Sequence, residues 1–207
     1  MSESARSLRE QRVVDTARAL RSRARELTAE RGIHGFTVEE LCTDVGVSRR
    51  TFFNYFATKE NAVLGVAIRA DLTGLDEQFV TGSGTLVDDL ADLMIARWDA
   101  ADIAVDDFAL VAAAVERSPE LHRHFLENLA QNEREDMALV ARREGIDPDD
   151  DRATAAVFLM GAVMRPSVAE VLRPEVEDDF ATIFRRRLEA TRGLLAPISS
   201  STSNGKS

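Results

Sequence analysis

The chain has 207 residues, enough to bury an adequate core as one domain or two small ones, and a formal net charge of −10. Its single cysteine excludes an internal disulfide and any cysteine-cluster metal site. No run of roughly 18 or more apolar residues occurs, and the N-terminal MSESARSLREQR is polar rather than signal-like, so a soluble, cytoplasmic protein with no membrane partner is expected.

The net acidity argues at first against a nucleic-acid partner, but the charge is unevenly placed. Residues 1–60 hold 11 Lys/Arg against 9 Asp/Glu, and residues 61–207 hold 15 against 27. The small positive excess therefore falls on the N-terminal part, and the acidity on the remainder.

In chain order, residues 1–8 read as disordered. An arginine-rich helix then runs from Leu8 to Arg31, with Leu20, Ala24 and Leu27 on one face and Gly32 as its stop. Thr37 followed by Glu40 is a capping box that opens a second, short helix carrying Val38 and Leu41. Cys42 beside them reads as a packed thiol. Asp44-Val45-Gly46-Val47 supplies a turn, the glycine admitting backbone angles that a Cβ resists.

Ser48 stands at the cap position of a third helix, in which Phe52 and Phe56 fall four apart on the inner face. The other face carries Arg49, Arg50, Thr51, Phe53, Asn54 and Tyr55. This is the pattern of a helix-turn-helix whose second helix enters the major groove of DNA. Arg49 and Arg50 are candidates to donate paired hydrogen bonds to guanine, Thr51 to pack its methyl on a thymine, and Asn54 to contact phosphate or base.

Thr58 caps a fourth helix with the stripe Leu64, Ile68, Leu72, Leu75 and Phe79, broken by TGSG at 81–84. A fifth helix carries Leu86, Leu90, Leu93, Met94 and Arg97, and a sixth carries Phe108, Val111, Ala112 and Val115. Ser118-Pro119 opens a seventh, with Leu121, Phe125 and Leu129 on one side. The eighth follows Asp147-Pro148 and is apolar on every side from Ala155 to Met164, so burial all round is expected, with Pro166 kinking or weakening it. The ninth shows Val176, Phe180, Ile183, Phe184, Leu188 and Leu195 along one face; residues 196–207 read as a disordered tail. The fold class is all-α, in about nine helices. The expected division is a DNA-binding domain over 9–66 and a dimerisation and ligand domain over 67–195.

The stretch GVSRRTFFNYFATKE resembles the signature of the TetR family of transcriptional regulators, and the resemblance covers roughly Leu8 to Ala67. It implies a helix-turn-helix in helices 2 and 3, and Thr37, Ser48, Tyr55 and Lys59 fall on positions that commonly contact phosphates. Phe53 occupies a position often filled by Tyr, so the usual hydroxyl-to-phosphate bond is missing there. Thr28 stands where the family usually has Phe, which leaves the packing of helix 1 on the motif to other residues such as Phe36. Arg9 and Arg12 resemble the arms that touch phosphates or the minor groove; a solvated helix face is the other reading.

The resemblance also implies a homodimer through the last two helices, and the apolar faces of those helices support the same expectation. It further implies a small-molecule effector site in helices 5 to 8, for which Met94, Trp98, Phe108, Phe125, Leu129 and Phe158 are candidates; ordinary core is the alternative. Operator DNA and an effector are the expected partners, with no cofactor. His34, His122 and His124 lack metal-ligand spacing, and DPDDD at 147–151 lacks the glycine and distal Glu of a calcium loop, so capping is its expected role. No catalytic motif is present, and a non-enzyme is expected. The rival readings are a helical enzyme or carrier with a purely structural helix-turn-helix, and a regulator controlled by a protein partner.

Overall fold

A computed structural model of the protein describes residues 2–66, 72–101 and 105–195, and among these the chain forms ten α-helices and no strand. The first, α1 (Ser2–Arg31), already includes the stretch that composition marks as disordered. The reason is local: Ala, Leu, Arg and Glu favour helix, and no Gly or Pro interrupts them before Gly32.

The motif forms as its caps dictate. α2 (Val38–Val45) opens with a reciprocal box: Thr37 Oγ1 accepts the Glu40 N–H at 3.1 Å, and Glu40 Oε2 accepts the Thr37 N–H at 2.7 Å. Gly46, at a φ of 76°, closes α2 in the left-handed region. α3 (Arg49–Tyr55) starts where Ser48 Oγ accepts the Thr51 N–H at 3.0 Å. Phe52 and Phe56 are fully buried among Leu20, Leu27, Phe36 and Leu41. Thr28 is buried too, its hydroxyl donating to the Ala24 carbonyl at 2.7 Å, and Phe36 belongs to the same core as Leu20, Ala24 and Leu27 of α1.

The fourth predicted helix is two. α4 (Lys59–Leu64) ends at Gly65, whose φ of 79° turns the chain out of the helix, and α5 (Thr73–Val80) resumes after residues outside the described set, Ile68 among them. Ten helices therefore replace nine. There follow α6 (Leu86–Ala101), α7 (Val105–Arg117), α8 (Pro119–Glu144), α9 (Asp151–Val171) and α10 (Phe180–Leu195). Ser118 caps α8 and Asp150 caps α9, which gives the acidic DPDDD run the structural role expected of it.

Two cores result. One gathers α1 to α4; the other gathers Phe79, Leu90, Leu93, Val140, Met160, Phe180 and Phe184 from α5, α6, α8, α9 and α10. Leu121, in the first turn of α8, is fully buried in the first core, while Leu139 and Val140 near the other end of α8 lie in the second. A single rigid helix thus joins head and body.

The eighth predicted helix forms as α9 within the single chain. Only one side is buried, through Ala153, Ala156, Val157, Met160 and Val163; Ala155, Phe158, Ala162 and Arg165 are exposed, Phe158 by 52%. Within one chain α9 has elements to pack on along only part of its circumference. Pro166 lies inside the helix, which continues to Val171 with Ser167 Oγ donating to the Val163 carbonyl at 2.7 Å. By length and composition α9 also resembles a membrane span, a signature that a core helix shares. In α10, Phe180, Ile183, Phe184 and Leu188 are buried as expected. Val176 sits in the turn before the helix, and the Leu195 side chain and residues 196–207 lie outside the described set.

Candidate nucleic-acid interface

The sequence of α3 sorts itself by face. With Phe52 and Phe56 pulled inward, the helical period leaves Arg49, Arg50, Phe53 and Asn54 exposed, and all four are exposed in the structure. Arg49 is 61% exposed at its side chain, with Nη1 2.7 Å from Glu39 Oε1 on α2 and its guanidinium 5.8 Å from the Phe53 ring centre. Arg50 makes no ion pair among the described residues. Phe53 packs edge-on against Phe52 at 5.2 Å, so half of it is anchored while the rest stays in solvent. Thr51 is half buried, its hydroxyl sharing a 2.8 Å hydrogen bond with that of Ser48.

The flanking candidates divide. Thr37 and Ser48 are exposed, and each uses its oxygen as a helix-cap acceptor; the Thr37 hydroxyl keeps a proton to donate, while Ser48 and Thr51 share one between their hydroxyls. Tyr55 is half buried against the first core. Lys59 turns back over Phe36: its Nζ donates to the Phe36 carbonyl at 3.0 Å and stands 5.1 Å from the ring centre. Two of its three N–H groups remain for other acceptors. Arg12 is exposed on α1, whereas the Arg9 side chain lies outside the described residues. Cys42 is buried, and burial first, then the Glu39 carboxylate, push its thiol pKa up, away from the thiolate that reactivity requires.

Residues 20–64, which hold this whole arrangement, match the family described as bacterial regulatory proteins, tetR family. Over 166 residues the chain is 31% identical to the HTH-type transcriptional regulator TcmR of Streptomyces glaucescens, spanning 73% of this chain and 71% of that one. The chain belongs to the TetR family. It is a DNA-binding transcriptional regulator with its helix-turn-helix in α2 and α3. A crystal structure of a TetR-family transcriptional regulator from Mesorhizobium loti MAFF303099 aligns over 88% of this chain and 98% of that one, with a TM-score of 0.45 and 19% identity.

Behind this TetR-type head, three contacts tie the start of α8 to it. Leu121 fills the first core, His34 Nε2 lies 2.7 Å from Glu120 Oε2, and His124 Nε2 hydrogen-bonds Asn61 Oδ1 at 2.5 Å. The two histidines are therefore seam residues. Among the described residues no group of three or more His, Cys, Asp or Glu side chains is arranged to hold a metal ion.

Along the same seam lies a cavity of about 410 Å³. Leu64, Phe108, Val111, Val115 and Phe125 give it apolar walls, and Arg25, Glu116 and His122 are its polar members. Of the six effector candidates only Phe108 and Phe125 are here. Trp98 stacks on Phe108 at 5.5 Å and on Phe180 at 4.3 Å, and Met94 packs on the second core. Leu129 and Phe158 are exposed. Helical stripes identify apolar faces without saying which of them meet, so the six were not brought together.

Sequence reasoning missed Glu39, Arg25 and Asp107. Arg25 is only 2% exposed at its side chain, with Nη1 2.6 Å from Asp107 Oδ2 on α7 and Nε donating to the Val63 carbonyl at 2.9 Å. A signal existed. Arg21, Arg25 and Thr28 form a second helical stripe beside Leu20, Ala24 and Leu27, and all six are buried.

Proposed function

We propose that the protein is a homodimeric repressor that each ligand-free subunit holds on half of a palindromic operator, and that a small apolar or amphipathic ligand releases it. The observation that carries the DNA-reading part is the outward face of α3: two guanidinium groups and Asn54 presented to solvent from a helix fixed by Phe52, Phe56 and Ser48. Arg49 and Arg50 would read base edges near the start of the recognition helix, with Thr51, Phe53 and Asn54 beside them. Thr37, Ser48, Tyr55 and Lys59 would grip phosphates. The domain division at about residue 66 and the cytoplasmic location belong to the same proposal.

Dimerisation is supported by the exposed stripe Ala155, Phe158 and Ala162 on α9, spaced for one helix face, and by Leu194 on α10, which is among the most exposed large apolar side chains. A two-fold partner seated there covers both helices symmetrically and sets two heads on one side of a duplex. The effector reading is supported by the seam cavity, whose volume lies within the usual range for small-molecule sites. A ligand there would shift the population toward a spacing of heads that no longer fits half-sites about 34–36 Å apart.

The test is a footprint on the DNA adjoining its own coding region, with the salt dependence of binding and the sedimentation of the free protein measured alongside. Protection of two symmetric half-sites by a dimer is expected, with affinity falling steeply as salt rises. Absence of any protected site at low salt, or a monomer at footprinting concentrations, overturns the proposal.

A further inference from the structure

We infer that the ligand of the seam cavity carries an anionic oxygen on an apolar, ring-sized body, and that Arg25 receives that oxygen in competition with Asp107. This rests on the effector role proposed above for the cavity and specifies its chemistry. Arg25 belongs to the cavity lining and is almost wholly buried. Its charge is met by Asp107 Oδ2 at 2.6 Å from Nη1, and its Nε donates to the Val63 carbonyl at 2.9 Å. A buried guanidinium needs a compensating anion at all times, and a ligand oxygen can take over that part from Asp107.

The other polar lining residues make no such demand. Glu116 and His122 are exposed to water, whereas Arg25 is the buried charge of the lining. The aromatic walls, Phe108 and Phe125, suit a ring. An oxygen arriving at Nη1 with full charge would be held by a charge-assisted hydrogen bond in a partly desolvated site.

The placement also gives the ligand leverage. One guanidinium joins the last turn of α4, through Nε to the Val63 carbonyl, and α7, through Asp107. Gly65 presses close beside it, since a Cβ there would stand 3.0 Å from Arg25 Nη2. An anion that takes Nη1 loosens Asp107, and with it the attachment of α7 to the head. The segment affected is the one that follows the recognition helix.

Anilinonaphthalene sulfonate and phenylnaphthylamine share a ring system and differ by the sulfonate, so fluorescence titration of the full chain with each isolates the anion. Wild type should prefer the sulfonate about tenfold, the value of roughly one charge-assisted hydrogen bond. Asp107→Asn should tighten the sulfonate about threefold further by weakening its competitor, with the neutral dye unchanged. Arg25→Met should bring the two dyes level; circular dichroism checks its fold, and Asp107→Asn carries the test if that variant does not fold. Val111→Trp, which narrows the cavity, should weaken both dyes. Equal affinities in wild type, no tightening in Asp107→Asn, or dye binding indifferent to Val111→Trp overturns the inference. Footprinting the same preparations separates the two claims. A wild type that protects its operator without preferring the sulfonate sinks only the anion site, and one that protects no DNA sinks the regulatory mechanism itself.

Discussion

The arginines of α3 and those of the body are the same side chain in different states. In the body, Arg97 lies 2.6 Å from both Asp76 and Asp136, Arg143 2.6 Å from Asp89, and Arg185 2.8 Å from Asp92. Arg186 and Arg187 share Glu170, and Arg192 takes Asp88. Each of these pairs crosses between elements, so each guanidinium is consumed in holding helices together. On α3, Arg50 has no ion-pair partner among the described residues and Arg49 has one exposed carboxylate, Glu39. The acidic excess beyond residue 60 supplies the carboxylates that neutralise the body, whereas α3 carries no carboxylate of its own.

The sharpest break of this contrast is Arg97→Met. It leaves Asp76 and Asp136 facing each other at a site where the arginine is only 11% exposed, and removal of one partner from a buried cluster is expected to cost about 3–5 kcal/mol. Urea unfolding followed by Trp98 emission measures it, because the sole tryptophan lies in the body against Phe180. Operator preference of the folded protein should not change. Arg49→Ala and Arg50→Ala should do the reverse: each removes about 1–3 kcal/mol of discrimination between operator and mismatched DNA and leaves the unfolding curve in place. Both variants keeping wild-type sequence preference in a competition assay would show that α3 does not read bases.

The same contrast marks what the sequence made legible. Caps and periods are local, so the α2–α3 unit could be read from Thr37, Glu40, Gly46, Ser48, Phe52 and Phe56 without knowing any neighbour. The family wording then assigned that unit to DNA binding. Partnerships across the chain are not local. The Arg25–Asp107 and Arg192–Asp88 pairs join residues far apart in sequence, and no spacing rule predicts them. The break after α4 was missed because the stripe from Leu64 to Phe79 keeps a helical period through Gly65; the period records which residues are apolar and not where the backbone turns. The outer face of α9 is exposed in the single chain, and an apolar pattern does not say whether burial is completed within the chain or by a partner.

A gentler test acts on the body's surface pairs together. Asp150 is held down from 3.8 to about 2 by the Arg152 guanidinium and then by its N–H. Glu170 is lowered by Arg187 and Arg186, and Asp88 by Thr85 and then Arg192. A carboxylate whose pKa is lower in the folded state contributes stability that is fully present above its ordinary pKa and disappears as pH falls through the folded value. Trp98 emission should therefore stay constant on acidification to about pH 4 and shift between about pH 4 and 2. A transition centred well above that window would assign acid sensitivity to other groups.

The smallest expected effect tests the one ion pair made from α3 among the described residues. Glu39 and Arg49 are both largely exposed, and an exposed pair of this kind contributes about 0.2–1 kcal/mol. Arg49 must leave Glu39 to reach a base, so the pair opposes DNA binding by that amount, and the carboxylate adds repulsion toward phosphate. Glu39→Gln should therefore tighten operator binding by no more than about fivefold at low salt, with the gain shrinking as salt rises. Glu170→Gln, made at a body pair as a control, removes a partner that DNA never replaces and should leave operator affinity unchanged. Fluorescence anisotropy on the footprinted fragment, across a salt series, compares the two. If Glu39→Gln binds no tighter than wild type, Arg49 does not have to give up its carboxylate on the operator, and base reading on α3 falls to Arg50 and Asn54.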